Sequence, residues 1–226
     1  MAIRWLLATS FVFCHCSLLS TAADAQNWQG FRGDGSGVTN PGENLASGKF
    51  DLQVEWKQKI GSGYSGIAVR GDRLVTMCTG EEKDLLVCLN ASDGQQIWAT
   101  PIDEKFAGEN GSFDGPVATP FISGTTVVGL SAQGKIFAAD LSDGKIRWAK
   151  KLTDEPIAAK LPMYGFASSP IVVDNTVILG CGGKDAFVCA FDLESGDLKW
   201  KTGNDEEATR NLNNVNALFG RKAIKK

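Results

Sequence analysis

Residues 140–148 read "DLSDGKIRW", and two further stretches align with them without a gap: "NASDGQQIW" (90–98) and "DLESGDLKW" (192–200). Each begins with Asn or Asp, carries Asp or Ser fourth, Gly fifth and Trp ninth. The tryptophans Trp98, Trp148 and Trp200 fall 50 and 52 residues apart. A period of that length belongs to stacked or radial repeats, whose units bury their apolar faces against their neighbours. A side-chain oxygen on Asn90, Asp140 or Asp192 can close an Asx turn. Gly94, Gly144 and Gly196 can take the positive φ needed where a four-residue hairpin loop re-enters a strand. Beyond the glycine, Ile146 and Trp148 share one face of an extended strand, as do Leu198 and Trp200. Each unit therefore predicts strand, tight turn, strand, with a large indole on the buried side.

Short β-rich runs precede each turn. They are "GIAVR" (66–70), "RLVTM" (73–77) and "LLVCLN" (85–90) in the first repeat, "TPFIS", "TVVGLS" and "KIFAAD" in the second, and "SPIVVD", "TVILGC" and "FVCAFD" in the third. With the tryptophan strand they make four antiparallel strands per unit, the anatomy of a propeller blade. No segment after the N-terminal leader has helical periodicity. The expected fold is all-β: a partial β-propeller of about three four-stranded antiparallel blades (61–100, 115–151 and 165–202). An orphan N-terminal closing strand is expected at 52–60, "LQVEWKQKI", with Trp56 in the tryptophan position; it would complete a last blade that is not expected within these residues.

The pattern resembles the tryptophan-docking repeat of PQQ-like β-propellers, and "AADLSDGKIRW" is very close to its A-x-D-x-x-[ST]-G-x-x-x-W core. The resemblance covers roughly residues 27–202. It implies that the indoles of Trp56, Trp98, Trp148 and Trp200 dock between neighbouring blades. The family includes quinoprotein dehydrogenases, the propeller subunit of the outer-membrane β-barrel assembly machinery, and many exported proteins without assigned activity. "NWQGFRGDGSGV" resembles the segment that opens exported members. We read 26–51 as a strap in which Trp28 and Phe31 bury aromatic area and glycines let the backbone turn. Its G-x-G-x-G spacing is not that of a dinucleotide loop, and Asp34 and Ser36 are too few oxygens for a calcium loop. Arg32-Gly33-Asp34 recurs as Arg70-Gly71-Asp72 in an ordinary turn, which weakens an adhesion reading.

The first 25 residues have the layout of a cleaved signal peptide: Arg4, an apolar run to Leu19, and small residues ending at Ala25. The protein is accordingly expected to be exported, periplasmic or secreted, with no transmembrane segment after cleavage. The leader carries His15, the only histidine, so the mature chain would lack Ser-His-Asp or Cys-His catalysis and imidazole-based zinc sites. Cys78, Cys88, Cys181 and Cys189 remain. An exported chain could pair them, but the expected registers put neither Cys78 opposite Cys88 nor Cys181 opposite Cys189, so we read them mostly as buried strand thiols, with disulfides the lesser alternative. A net charge of −3 provides no basic surface for nucleic acid.

The long connections 101–116 and 151–166 are candidates for binding loops. Asp103, Glu104, Glu109 and Asp114 could line an acidic rim; Tyr64, Met163, Tyr164 and Phe166 could form an apolar contact near the channel mouth. The more economical reading is that these charges solvate the loops and the aromatics pack on strands. After Trp200 the repeat is lost, and 203–226 reads as an irregular tail of an N-terminal fragment. Open blade faces would then favour self-association. Two functions follow from the resemblance: a non-catalytic scaffold binding a protein or peptide, or a quinoprotein dehydrogenase holding PQQ and calcium. The adjacent Cys-Cys pair of those dehydrogenases is absent, and no position matches a complete calcium-and-base set.

Overall fold

The computed structural model describes residues 27–33, 51–108, 114–183 and 185–203; the expected leader, most of the strap and nearly all of the tail lie outside them. Three four-stranded sheets follow one another along the chain, each antiparallel with its strands in sequential order. The first holds β1 (Ala68–Arg70), β2 (Arg73–Thr79), β3 (Lys83–Asn90) and β4 (Gln96–Glu104). The second holds β5 (Phe121–Ser123), β6 (Thr126–Leu130), β7 (Lys135–Asp140) and β8 (Ile146–Lys151). The third holds β9 (Ile171–Val173), β10 (Thr176–Gly183), β11 (Ala186–Asp192) and β12 (Leu198–Thr202). No helix occurs among the described residues. The sheets do not close into a ring; the fold is a partial β-propeller.

In the middle blade the central strand β6 does not alternate: all five of its residues are buried, because that blade is covered on both faces by its neighbours. One core runs through all three blades and includes Val75, Leu86, Val127, Ile136, Val177 and Phe191. A smaller cluster of Cys78, Val87 and Leu89 lies elsewhere on the first blade, with Trp56, Leu74 and Leu85 packed on it.

Two expectations need correction. The connection expected to begin at residue 101 begins later, because β4 continues to Glu104. Pro101 is tolerated there because β4 is an edge strand, where the missing N–H leaves no ladder bond unmade. The segment 52–60, expected as an orphan strand, pairs with no strand among the described residues, and Leu52 is 88% exposed. A strand is defined by its ladder, so apolar alternation without a neighbour leaves only extended chain. In the strap, Trp28 and Phe31 remain 47% and 41% exposed. Its backbone holds it instead: Trp28 and Val69 exchange two hydrogen bonds, at 2.9 and 2.7 Å, and Ile122 N donates to Gln29 O at 2.7 Å. The strap thus crosses the innermost strands of the first two blades. Gly30 lies so close to Phe121 that a Cβ would fall 2.6 Å from its ring.

Candidate functional site

The repeated motif builds the joints between blades. The Nε1–H of Trp98 donates to Leu141 O at 3.0 Å, that of Trp148 to Leu193 O at 2.8 Å, and that of Trp56 to Ala91 O at 3.0 Å. The acceptor is always the second motif residue of the following blade. The same residue's backbone N–H also donates inward. Ala91 N bonds Asp72 O, Leu141 N bonds Thr125 O and Leu193 N bonds Asn175 O, which ties the motif to the inner hairpin of its own blade. The indole lies over the motif glycine. A Cβ on Gly94, Gly144 or Gly196 would meet the rings of Trp56, Trp98 or Trp148 at 2.4–2.5 Å, and all three glycines have φ of 73–74° or 72°. Two separate constraints, contact and backbone conformation, therefore exclude a side chain there.

The turn polar groups are largely satisfied locally. Asn90 Oδ1 accepts from Ser92 N, and Asp192 Oδ1 from Glu194 N and Ser195 N. Asp140 departs from the expected Asx turn: its carboxylate binds Arg147, which also donates to Thr126 Oγ1 at 3.0 Å. The Arg147 guanidinium holds the Asp140 carboxyl below its usual range, as the Ser195 backbone N–H does for Asp192. The fourth motif position has its own role: Asp93, Asp143 and Ser195 accept from the backbone N–H two residues later.

Trp200 differs from the other indoles. Trp98 and Trp148 are 9% and 8% exposed, whereas Trp200 is 42% exposed, with no following blade among the described residues to receive it.

A second joint, at the inner ends of the blades, escaped the repeat alignment. Ser65 Oγ donates to Ala118 O at 2.9 Å, Gly66 N to Thr119 Oγ1 at 3.2 Å, and Thr119 N to Ser169 Oγ at 2.9 Å. The available signal was the hydroxyl residue before each inner-strand proline, in Thr119-Pro120 and Ser169-Pro170.

The loop residues divide. Asp103 accepts from Ser131 Oγ at 2.6 Å and lies 3.3 Å from Lys135 Nζ; Glu104 pairs with Lys83; Asp114 accepts from Gly108 N. Glu109 lies outside the described residues. Asp103 thus links the first blade to the second, Glu104 pairs within the first blade, and Asp114 braces its own connection. Phe166 is buried beneath Gly134. Leu161, Met163, Tyr164 and Tyr64 are exposed on segments leading into the innermost strands. Asp84, missed in the sequence, is fully buried; Thr79 Oγ1 donates to it at 2.9 Å and Phe106 N at 3.3 Å. Burial pushes its carboxyl above the ordinary range.

Calcium takes six to eight convergent oxygens. Among the described residues no three Asp, Glu, Cys or His side chains are placed to hold a metal ion, and Asp84 and Asp103 already serve the contacts above. No helix among the described residues is long and apolar enough to cross a membrane.

A family model described as outer membrane protein assembly factor BamB matches residues 44–226. The assembly factor BamB of Yersinia pestis is 30% identical over 185 residues, covering 77% of this chain and 42% of that protein. Quinohemoprotein alcohol dehydrogenase ADH IIB of Pseudomonas putida is 28% identical over 121 residues, covering 51% of this chain and 17% of the enzyme. The crystal structure of quinohemoprotein alcohol dehydrogenase from Comamonas testosteroni shares the fold, with a TM-score of 0.53 at 15% identity over 80% of this chain and 28% of that one. The matched region spans less than half the length of each of these relatives. With the repeat, its joints and this match in agreement, the chain belongs to the PQQ-like β-propeller family of the outer membrane protein assembly factor BamB.

Proposed function

We propose that this chain supplies blades to an exported, non-catalytic propeller scaffold that binds a protein partner during outer-membrane protein assembly. The observation that carries the reading is the division of labour among side chains. The indoles of Trp56, Trp98 and Trp148 and the carboxylate of Asp103 serve contacts between blades, while Leu161, Met163, Tyr164 and Tyr64 present exposed surface on segments feeding the innermost strands. Exposed aromatic and Met side chains suit protein contact. The family match supports the same class of role.

A photocrosslinking amino acid placed at Tyr64, Met163 or Tyr164, in cells producing the chain, tests it. Adducts to an envelope protein are expected at these positions and not at Glu81 or Asp93 in exposed turns. Equal or absent labelling at all five positions would contradict the assignment. Export has its own check: the mature protein should begin at Gln26. The match to quinoprotein dehydrogenases motivates a second reading. Dye reduction on adding PQQ and Ca²⁺ with an alcohol or sugar would favour it over the scaffold.

A further inference from the structure

Two thiols of the third blade have no part in the joints or loops described above. Cys181 on β10 and Cys189 on β11 are both buried. The ladder pairs Leu179 with Cys189 and Gly180 with Val188, then resumes at Gly183 with Ala186. Cys181 and Gly182 therefore face the single residue Phe187, a bulge of two residues against one. Cys181 is two residues beyond Leu179 and shares its face, so the two cysteines sit on one side of the hairpin, diagonal to each other. Diagonal neighbours ordinarily stand ~7–8 Å apart, beyond comfortable disulfide reach. Here the bulge falls at that diagonal, the two thiols share a hydrogen bond, and Cys181 Sγ and Cys189 Sγ also lie 3.9 Å from Leu179 O and 3.7 Å from Ala186 O.

The two sulfurs are chemically unequal. The hydrogen bond from Cys181 holds the Cys189 thiol below its usual range against the effect of burial, and Lys201, its ladder partner on β12, acts in the same direction. Burial pushes Cys181 well up. The first blade offers a contrast. Cys78 pairs with Leu85 and Cys88 with Val75, three residues away on β2, so these two side chains point to opposite faces.

We propose that Cys181 and Cys189 form an oxidisable dithiol that closes a disulfide across the β10–β11 hairpin when it meets a small-molecule or protein disulfide. Cys189 loses its proton to solvent and its thiolate attacks one sulfur of the oxidant, expelling the other as a thiolate. Cys181 then loses its proton and attacks the mixed disulfide at the Cys189 sulfur, releasing the second thiolate. The protein dithiol is oxidised by two electrons and the oxidant becomes two thiols. Because both sulfurs are buried, exchange proceeds during folding or through opening of the hairpin, whose bulge contains Gly182 and is flanked by Gly180 and Gly183. The proposal is independent of the scaffold reading.

Trypsin cuts after Lys184, between the two cysteines, so a disulfide would join peptides 161–184 and 185–199. The full chain is incubated with oxidised and reduced glutathione, both folded and through a cycle of unfolding and refolding, then acid-quenched, alkylated and mapped by mass. The expected product is that linked pair, two hydrogens lighter than its separate peptides, with Cys78 and Cys88 recovered alkylated. Cys181→Ser should abolish the link and leave glutathione on Cys189. Recovery of both peptides separately alkylated after refolding, or a link from either cysteine to Cys78 or Cys88, would overturn the proposal.

Discussion

At the second motif position one residue's backbone serves two contacts: its carbonyl takes the preceding blade's indole, and its N–H holds its own blade's inner hairpin. Burying an indole removes roughly 150–250 Å² from water, a gross gain on the order of 4–6 kcal/mol, and leaves an N–H that must find an acceptor. Trp148→Phe keeps much of the apolar contact but orphans Leu193 O, which predicts a loss of about 1–3 kcal/mol in urea unfolding. Trp200→Phe, on a half-exposed ring, should change stability by under ~0.5 kcal/mol. Equal effects would contradict the docking asymmetry. Charge at two acids adds a pH signature. Asp84 has its folded carboxyl raised by burial, so its stabilising contribution is complete below the ordinary carboxylate range and is lost as pH rises through the raised folded value. Asp192 is lowered by the Ser195 N–H, so its contribution is present above the ordinary range and is lost as pH falls through the depressed value. Unfolding curves between acidic and neutral pH should therefore lose opposite slopes in Asp84→Asn and Asp192→Asn.

The strand is where reading by pattern worked best and where its limit shows. Runs such as "KIFAAD" and "TVVGLS" are β-branched and apolar, and they became central strands β7 and β6. The segment 52–60 has as good an alternation, yet pairs with nothing among the described residues, because pairing depends on a neighbour and alternation does not. The inner joint was equally hidden. A hydroxyl before a proline is a common turn signal, and only the placement of adjacent blades aims Thr119 Oγ1 at Gly66 N. Thr119→Val leaves that amide without its acceptor and predicts a loss of about 1–3 kcal/mol by chemical denaturation. Amide exchange should be slowest in β6 and β7, which have a blade on either side, and fastest in β12. Uniform protection across the three sheets would contradict coupling through blade contacts.

Across the whole molecule, stability is a sum of blade and joint terms, and a face without its neighbour is a liability. The third blade presents Trp200 and Val173, both substantially exposed. We expect the mass of the purified chain in analytical ultracentrifugation to rise with concentration, and Trp200→Lys to suppress that rise. A monomer of constant mass over the whole range would contradict association through this face. The candidate binding residues are also a whole-molecule matter. Tyr64 and Tyr164 are separated by two blades in sequence and are related only because equivalent connections lead into equivalent inner strands.

From the letters alone came the repeat, its turns, its four-strand unit and the family, because Gly at a positive φ and Trp at a fixed spacing are local requirements written into local sequence. Which indole finds a carbonyl, which acid is buried, and which cysteines share a face were settled by neighbours that the chain meets only after folding. Asp84 shows the difference: nothing around it in "KDLLVC" marks it as buried, and its burial follows from the Phe106 loop descending on β3. Burial and pairing are properties of two surfaces in contact, and one stretch of sequence encodes only one of them.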